Sequence, residues 1–206
     1  VTKSRKPLLR SAAELVVIVA VALGLAVAIQ AFLVKPYEIP SASMEPTLTI
    51  GQRILVDRIG MHFSSPQIGT IMVFHPPANE TCADSQEGAY ASGEASSTAC
   101  DVAQAKESTQ TYVKRVVGLP GDRLSIRNGH VYRNGKLEPD SYTIPCDGGG
   151  DCNFPTTITV PPNDYYMMGD NRPDSLDSRF WGPVPRRWLI GKAFITYWPP
   201  DRIGFL

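Results

Sequence analysis

Arg123-Leu-Ser-Ile-Arg-Asn-Gly-His-Val-Tyr-Arg-Asn-Gly135 decides the fold class. Asn128-Gly129 separates two β-prone runs, Arg123 to Arg127 and Val131 to Arg133. A type I′ hairpin turn needs positive φ at both central residues, which Asn and Gly tolerate best. Asn134-Gly135 is a second turn of the same kind. Working outward, Arg53 to Asp57, Thr70 to Phe74, Tyr112 to Val117, Thr157 to Val160, Tyr165 to Met168 and Ala193 to Tyr197 read as further strands. Among 206 residues there are 18 prolines and 17 glycines, and helical periodicity is scarce after residue 35. The expected fold is therefore mainly β and antiparallel.

Before this β region, Ala12 to Val34 is apolar except for Glu14 and Gln30. A helix rising ~1.5 Å per residue over that stretch matches the ~30 Å hydrocarbon core of a bilayer. Lys3, Arg5, Lys6 and Arg10 precede it, which by the positive-inside rule puts the N-terminus in the cytoplasm and the rest outside. The expected organisation is a basic cytoplasmic segment 1–11, a single transmembrane anchor 12–34 in the cell membrane, and an extracytoplasmic β domain 35–206. A cleavable secretory signal is the competing reading, since Ala26-Val-Ala28 has the small-x-small pattern of a cleavage site. The apolar run exceeds the ~7 to 15 residues of a signal core, which favours the anchor.

Formal charge is zero, so no basic surface points to a nucleic-acid partner. Cys82, Cys100, Cys146 and Cys152 suit an oxidising exterior and are candidates for disulfides, although four cysteines allow three pairings. Zinc is disfavoured because there is no Cys-x-x-Cys and His62, His75 and His130 are scattered. Residues 78–110 are rich in Ala, Ser, Thr, Glu and Gly. From Asn79 to Glu107 there are six acidic residues against the single Lys106. This acidic, low-complexity insertion reads as a long surface excursion.

Three blocks hold residues that packing does not require: Ser41-Ala-Ser-Met-Glu-Pro-Thr-Leu48, Tyr112-Val-Lys-Arg-Val-Val-Gly-Leu-Pro-Gly-Asp122 and Gly169-Asp-Asn-Arg-Pro-Asp-Ser-Leu-Asp-Ser-Arg179. A serine hydroxyl needs a base beside it and donors for the oxyanion formed on attack. No histidine is placed for that role, but a lysine serves if burial lowers its pKa by several units from about 10.4. Lys114 lies in an apolar alternating run that suits a half-buried strand. Taken singly, Lys114 reads equally well as a solvated strand residue, either serine as a turn residue after Pro40, and the third block as a polar turn.

Together the blocks resemble the bacterial type I signal peptidases, membrane-bound serine proteases with a Ser/Lys dyad. The resemblance runs from the apolar segment to about Val184 and implies a nucleophile at Ser43 and a general base at Lys114. It also implies an oxyanion hole from the Ser41 hydroxyl and the Ser43 N–H. Ser175 would orient the lysine. Asp177 and Arg179 would form a supporting ion pair, in a loop with Asp170, Asn171 and Arg172. The substrate, a signal peptide of an exported preprotein, would add as a strand between Tyr37–Ser41 and Gln110–Lys114. Ile39, Pro40, Met44, Leu48, Tyr112 and Val113 are the candidate groove walls, with small residues implied at the first and third positions before the cut.

No metal or organic cofactor is implied. The phospholipid bilayer and the neighbouring export machinery are the expected surroundings, and exposed aromatics near Phe180-Trp181 or Trp198-Pro-Pro200 would pack in the core or meet the lipid interface. Departures from the family pattern are few: Gln52 stands where many relatives carry aspartate, and Arg58 where lysine is common. A self-cleaving Ser/Lys regulator like the SOS repressor proteases would need a partner-binding domain and a cleavable linker where the apolar segment stands. An inactive anchored binding module would have no use for both Ser43 and Lys114.

Overall fold

The structure is a computed structural model that describes residues 6–206 apart from 33, 80, 83–96 and 147–151; the side chains of 6–11, 26–32 and 62 also lie outside the description. Helix α1 (Lys6–Phe32) precedes the β region. Its residues 12–25 are all exposed. At ~1.5 Å per residue those residues rise about 21 Å. Among the described residues no helix is long and apolar enough to cross a membrane. Residues 26–33 of the expected anchor 12–34 fall outside the described side chains, and Val34 already begins a strand.

Among the described residues the strands form two antiparallel sheets. The larger, eight-stranded sheet has the order β1 (Val34–Glu38), β2 (Arg53–Asp57), β11 (Leu189–Trp198), β3 (Ile71–Phe74), β4 (Tyr112–Gly118), β9 (Asp164–Met168), β10 (Val184–Pro185), with β12 (Gly204–Phe205) paired to β11. The smaller sheet runs β7 (Lys136–Leu137), β6 (His130–Arg133), β5 (Arg123–Arg127), β8 (Phe154–Thr159). Short helices α2 (Gly60–Phe63) and α3 (Ser178–Trp181) lie between strands.

Both Asn-Gly turns take the expected positive φ: 51° and 80° at Asn128 and Gly129, 54° and 82° at Asn134 and Gly135. They fix the register of β5, β6 and β7, with Arg127 opposite His130 and Arg133 opposite Lys136. Leu124 and Ile126 then turn inward together with Val131, Phe154 and Ile158 to form the core of the small sheet. Two further apolar clusters lie under the large sheet. One gathers Ile39, Met44, Leu48, Ile54, Val56 and Val73. The other gathers Met72, Phe74, Val116, Met167 and Trp181.

Several boundaries differ from expectation for physical reasons. β8 begins at Phe154 instead of Thr157, because the small sheet leaves β8 at an edge where Pro155 needs no ladder partner. Pro36 is tolerated in edge strand β1 in the same way. β11 spans ten residues and shifts register against both neighbours, which breaks the alternation that a sequence pattern relies on.

The excursion 78–110 is only partly a surface feature. Ala99, Cys100 and Gln104 are buried, and Ala78 N donates to Lys106 O while Ser108 N donates to Pro76 O, zipping the two arms together. Disulfides join Cys82 to Cys100 and Cys146 to Cys152, one of the three pairings that four cysteines permit. Trp181 is in the core and Phe180 packs against the small-sheet cluster, whereas Trp198 is half exposed.

Candidate active site

β1 delivers the chain to a 3-10 turn, Ala42–Met44. Ile39 N donates to Gln52 O and Gly51 N to Ile39 O, so the approach to the turn is held against the chain entering β2. Met44 and Leu48 anchor the segment in the core beneath it. Ser43 is left 9% exposed at the surface of that core. Ser41 Oγ lies 3.3 Å from Ser43 Oγ.

β4 brings up the lysine. Lys114 pairs with Met72 of β3 and is 3% exposed. Its Nζ donates no hydrogen bond to the described residues and stands 5.8 Å from the Tyr112 ring centroid. Burial is the main cause that pulls its pKa from the ordinary lysine value down to about 8, and the Asp177 carboxylate opposes the fall. Such an amine is partly neutral near physiological pH.

Ser43 and Lys114 both line one cleft of about 600 Å³. Its walls include Ile39, Pro40, Ser41, Met44, Tyr112 and Val113, all anticipated from sequence, together with Tyr37, Glu38, Gln110 and Thr111. Leu48 corrects the expected groove: it does not line the cleft but is fully buried in the core cluster that also holds Ile39 and Met44. Leu176 is a wall residue that sequence reasoning missed. It sits in a run of polar residues with no periodicity to mark it.

The loop after β9 supports this arrangement. Asp177 is fully buried; its Oδ2 accepts from Gly169 N at 3.0 Å and Ser175 Oγ at 2.7 Å, while its Oδ1 accepts from Arg179 Nε at 2.8 Å. Burial alone would raise the Asp177 pKa, but the Arg179 guanidinium and the donated hydrogen bonds hold it below the ordinary carboxylate value. Arg179 Nη2 also donates to Arg172 O and Ser175 O, and Arg172 Nε to Gly169 O. Asn171 meets the serine turn directly, its N donating to Ser43 O and its Nδ2 to Ala42 O.

Arg115, next to the lysine, faces the other side of β4. Its Nε and Nη2 grip both oxygens of Asp170 at 2.8 and 2.6 Å, Nη1 donates to Gly69 O, and the guanidinium stacks 4.0 Å from the Tyr142 ring centroid. Thr47 Oγ1 donates to the same carboxylate. One nearly buried ion pair thus joins the lysine strand, the serine segment and the polar loop. Arg115→Ala strands the Asp170 charge and is expected to destabilise the fold by about 3 kcal/mol, measured by denaturant unfolding. Loss of less than about 1 kcal/mol would place the pair among ordinary surface bridges.

Fold and cleft together define a mainly β domain in which one cleft is lined by a serine and a buried lysine. Residues 12–198 match the family described as signal peptidase, peptidase S26, and the chain belongs to that family. Membership makes it an enzyme, a serine endopeptidase of the signal peptidase I kind. It is 35% identical to the "Probable signal peptidase I-2" of Synechocystis sp. over 184 residues, 88% of this chain and 71% of that protein. It is 34% identical to the "Signal peptidase I" of Leptolyngbya laminosa over 205 residues, 99% of this chain and 86% of that one. A solved signal peptidase I of Enterococcus faecalis V583 has a TM-score of 0.39 at 24% identity, covering 63% of this chain and 97% of that one, too distant a likeness to carry weight.

Proposed function

We propose that this chain removes N-terminal signal peptides from exported preproteins through an acyl-enzyme on Ser43, with Lys114 as general base. The observation that carries the reading is that one cleft is lined by Ser43 and by a lysine whose burial brings its pKa to about 8. The substrate enters as an extended strand. Pairing of β4 with β9 begins at Arg115, so among the described residues the backbone at 112–114 has no strand partner on that edge. Residues 38–41 line the same cleft. Ile39, Met44 and Val113 crowd the cleft with apolar bulk, which suits small substrate side chains next to the cut.

Neutral Lys114 takes the proton as Ser43 Oγ attacks the scissile carbonyl. The Ser43 N–H and the Ser41 hydroxyl donate to the oxyanion. The protonated lysine passes its proton to the leaving amine, and the same base then activates the water that hydrolyses the ester. In this reading Ser175, held by Asp177, orients the amine, and Asp177 with Arg179 keeps Ser175 in place. Residues 12–34, most of them in α1, anchor the chain in the cell membrane, with 1–11 cytoplasmic and 35–206 on the extracytoplasmic side, so that enzyme and substrate meet at one bilayer surface.

The test is cleavage of a preprotein with Ala-x-Ala before its mature start by the detergent-solubilised protein, with the cut mapped by mass spectrometry. Cleavage after the last alanine is expected, with Ser43→Ala slower by about 10⁴-fold or more. Binding of the signal segment without any cut, across pH and detergents, would sink the proposal in favour of an anchored binding module.

A further inference from the structure

The polar loop ends in α3, a single turn whose carbonyls must find donors outside the helix. Gly182 N returns to Ser178 O. The next two donors come from the excursion: Cys100 N donates to Arg179 O at 3.0 Å, and Gln104 Nε2 donates to Trp181 O at 3.2 Å. Gln104 is 5% exposed, and the same Nε2 also faces Asn79 O at 2.9 Å and Thr81 O at 2.8 Å, while its Oε1 accepts from Asn79 N. One amide therefore binds the outgoing arm, the returning arm and α3 together. The fit is close enough that a Cβ on Gly182 would run into Val102 O and lie 3.0 Å from Cys100 Sγ.

We propose that Gln104 is a positioning residue for catalysis, and that residues 97–108 of the excursion are a clamp holding α3 and, through it, the Asp177–Arg179 pair against Lys114. The proposal rests on the Ser43/Lys114 reading above. The path is continuous: Gln104 and Cys100 hold the α3 carbonyls, Arg179 in α3 grips Asp177, and Asp177 holds Ser175 and Gly169. The charged groups acting on Lys114 are Asp177, Arg179, Asp170 and Asp174. The first two ride on the clamped segment, Asp170 is fixed by Arg115 and Thr47, and Asp174 is exposed. A looser α3 lets water reach the amine and returns its pKa towards the ordinary lysine value.

The experiment compares Gln104→Met, which keeps the bulk and removes the donor, with Gly135→Ala, a mild destabilisation at a turn with open space around it and outside the clamp, α3 and the cleft. Steady-state cleavage is measured from acid to alkaline pH, alongside the folded fraction by denaturant unfolding. For Gln104→Met, kcat is expected to fall about fivefold with KM within about twofold, and the acid-limb midpoint to rise by about half a pH unit. Gly135→Ala should leave that midpoint in place. A Gln104→Met midpoint identical to wild type, with activity lost only in proportion to unfolded protein, would overturn the clamp. A wild-type profile with no acid limb at all would instead defeat the lysine-base reading, and the clamp with it.

Discussion

Lys114→Met is expected to lose cleavage by about 10⁴-fold or more while making the folded domain more stable. The two effects have one cause. A methionine fills the same buried, largely apolar space without a charge to desolvate, but it cannot take a proton from Ser43. In the folded protein the lysine pKa is about 8, below the ordinary value of 10.5 that the unfolded chain retains. Between those two values the unfolded chain binds more protons than the folded one, so stability rises with pH across that window, and the penalty is fully present below about pH 8. Each pH unit of displacement is worth about 1.4 kcal/mol, so the lysine costs the fold about 3 kcal/mol at pH 7. Unfolding in urea at pH 7 should therefore show a higher midpoint for the variant, and the gain should shrink towards zero near pH 10.5. A variant no more stable than wild type at pH 7 would mean that Lys114 is hydrated in the folded state.

Gly169→Ala should lower kcat/KM by about 100-fold or more, although no catalytic group is removed. A Cβ at that position would fall 2.6 Å from Ser175 Cβ and collide with both Ser175 Oγ and the carbonyl oxygen of Ser43. Neither neighbour can give way freely. Ser175 is fixed by Asp177, and the Ser43 carbonyl accepts from Asn171 N, so relief requires the serine turn and the lysine-side loop to separate. A shift of about 1 Å is enough for a large loss, because attack requires near-contact geometry. Gly135→Ala is the comparison. It strains a turn at φ 82° with open space around it and should cost about 1 kcal/mol of stability without touching activity. Equal activity for the two alanine variants would show that the Gly169 contact does not position the site.

What sequence could and could not reveal follows from the range of the interactions. Asn128-Gly129 announced a hairpin because positive φ is a local demand, met within two residues. Lys114 stood out through the block that holds it, Tyr112 to Asp122, and the likeness of that block to the signal-peptidase pattern, because taken singly a lysine there passes for a solvated strand residue, yet β4 buries it. The Arg115–Asp170–Thr47 junction was not legible, since its partners lie 55 and 68 residues from the arginine and each passes singly for a solvated polar residue. Leu48 was misplaced because nearness to the serines along the chain does not say which way a side chain turns after a 3-10 turn. The excursion misled most. Its composition is that of a solvated loop, yet Gln104 is buried with its amide on the Trp181 carbonyl of α3, 77 residues from it.

The most direct single measurement is the pH dependence of kcat/KM for the wild-type enzyme on a preprotein substrate between pH 5 and 10. That profile reports the free enzyme's essential groups. With a buried lysine as base, the rate should rise about tenfold per pH unit at low pH and bend near the Lys114 pKa of about 8. A profile flat from pH 5 to 8, with the substrate still cut at its Ala-x-Ala site, would contradict lysine as the base of this reaction.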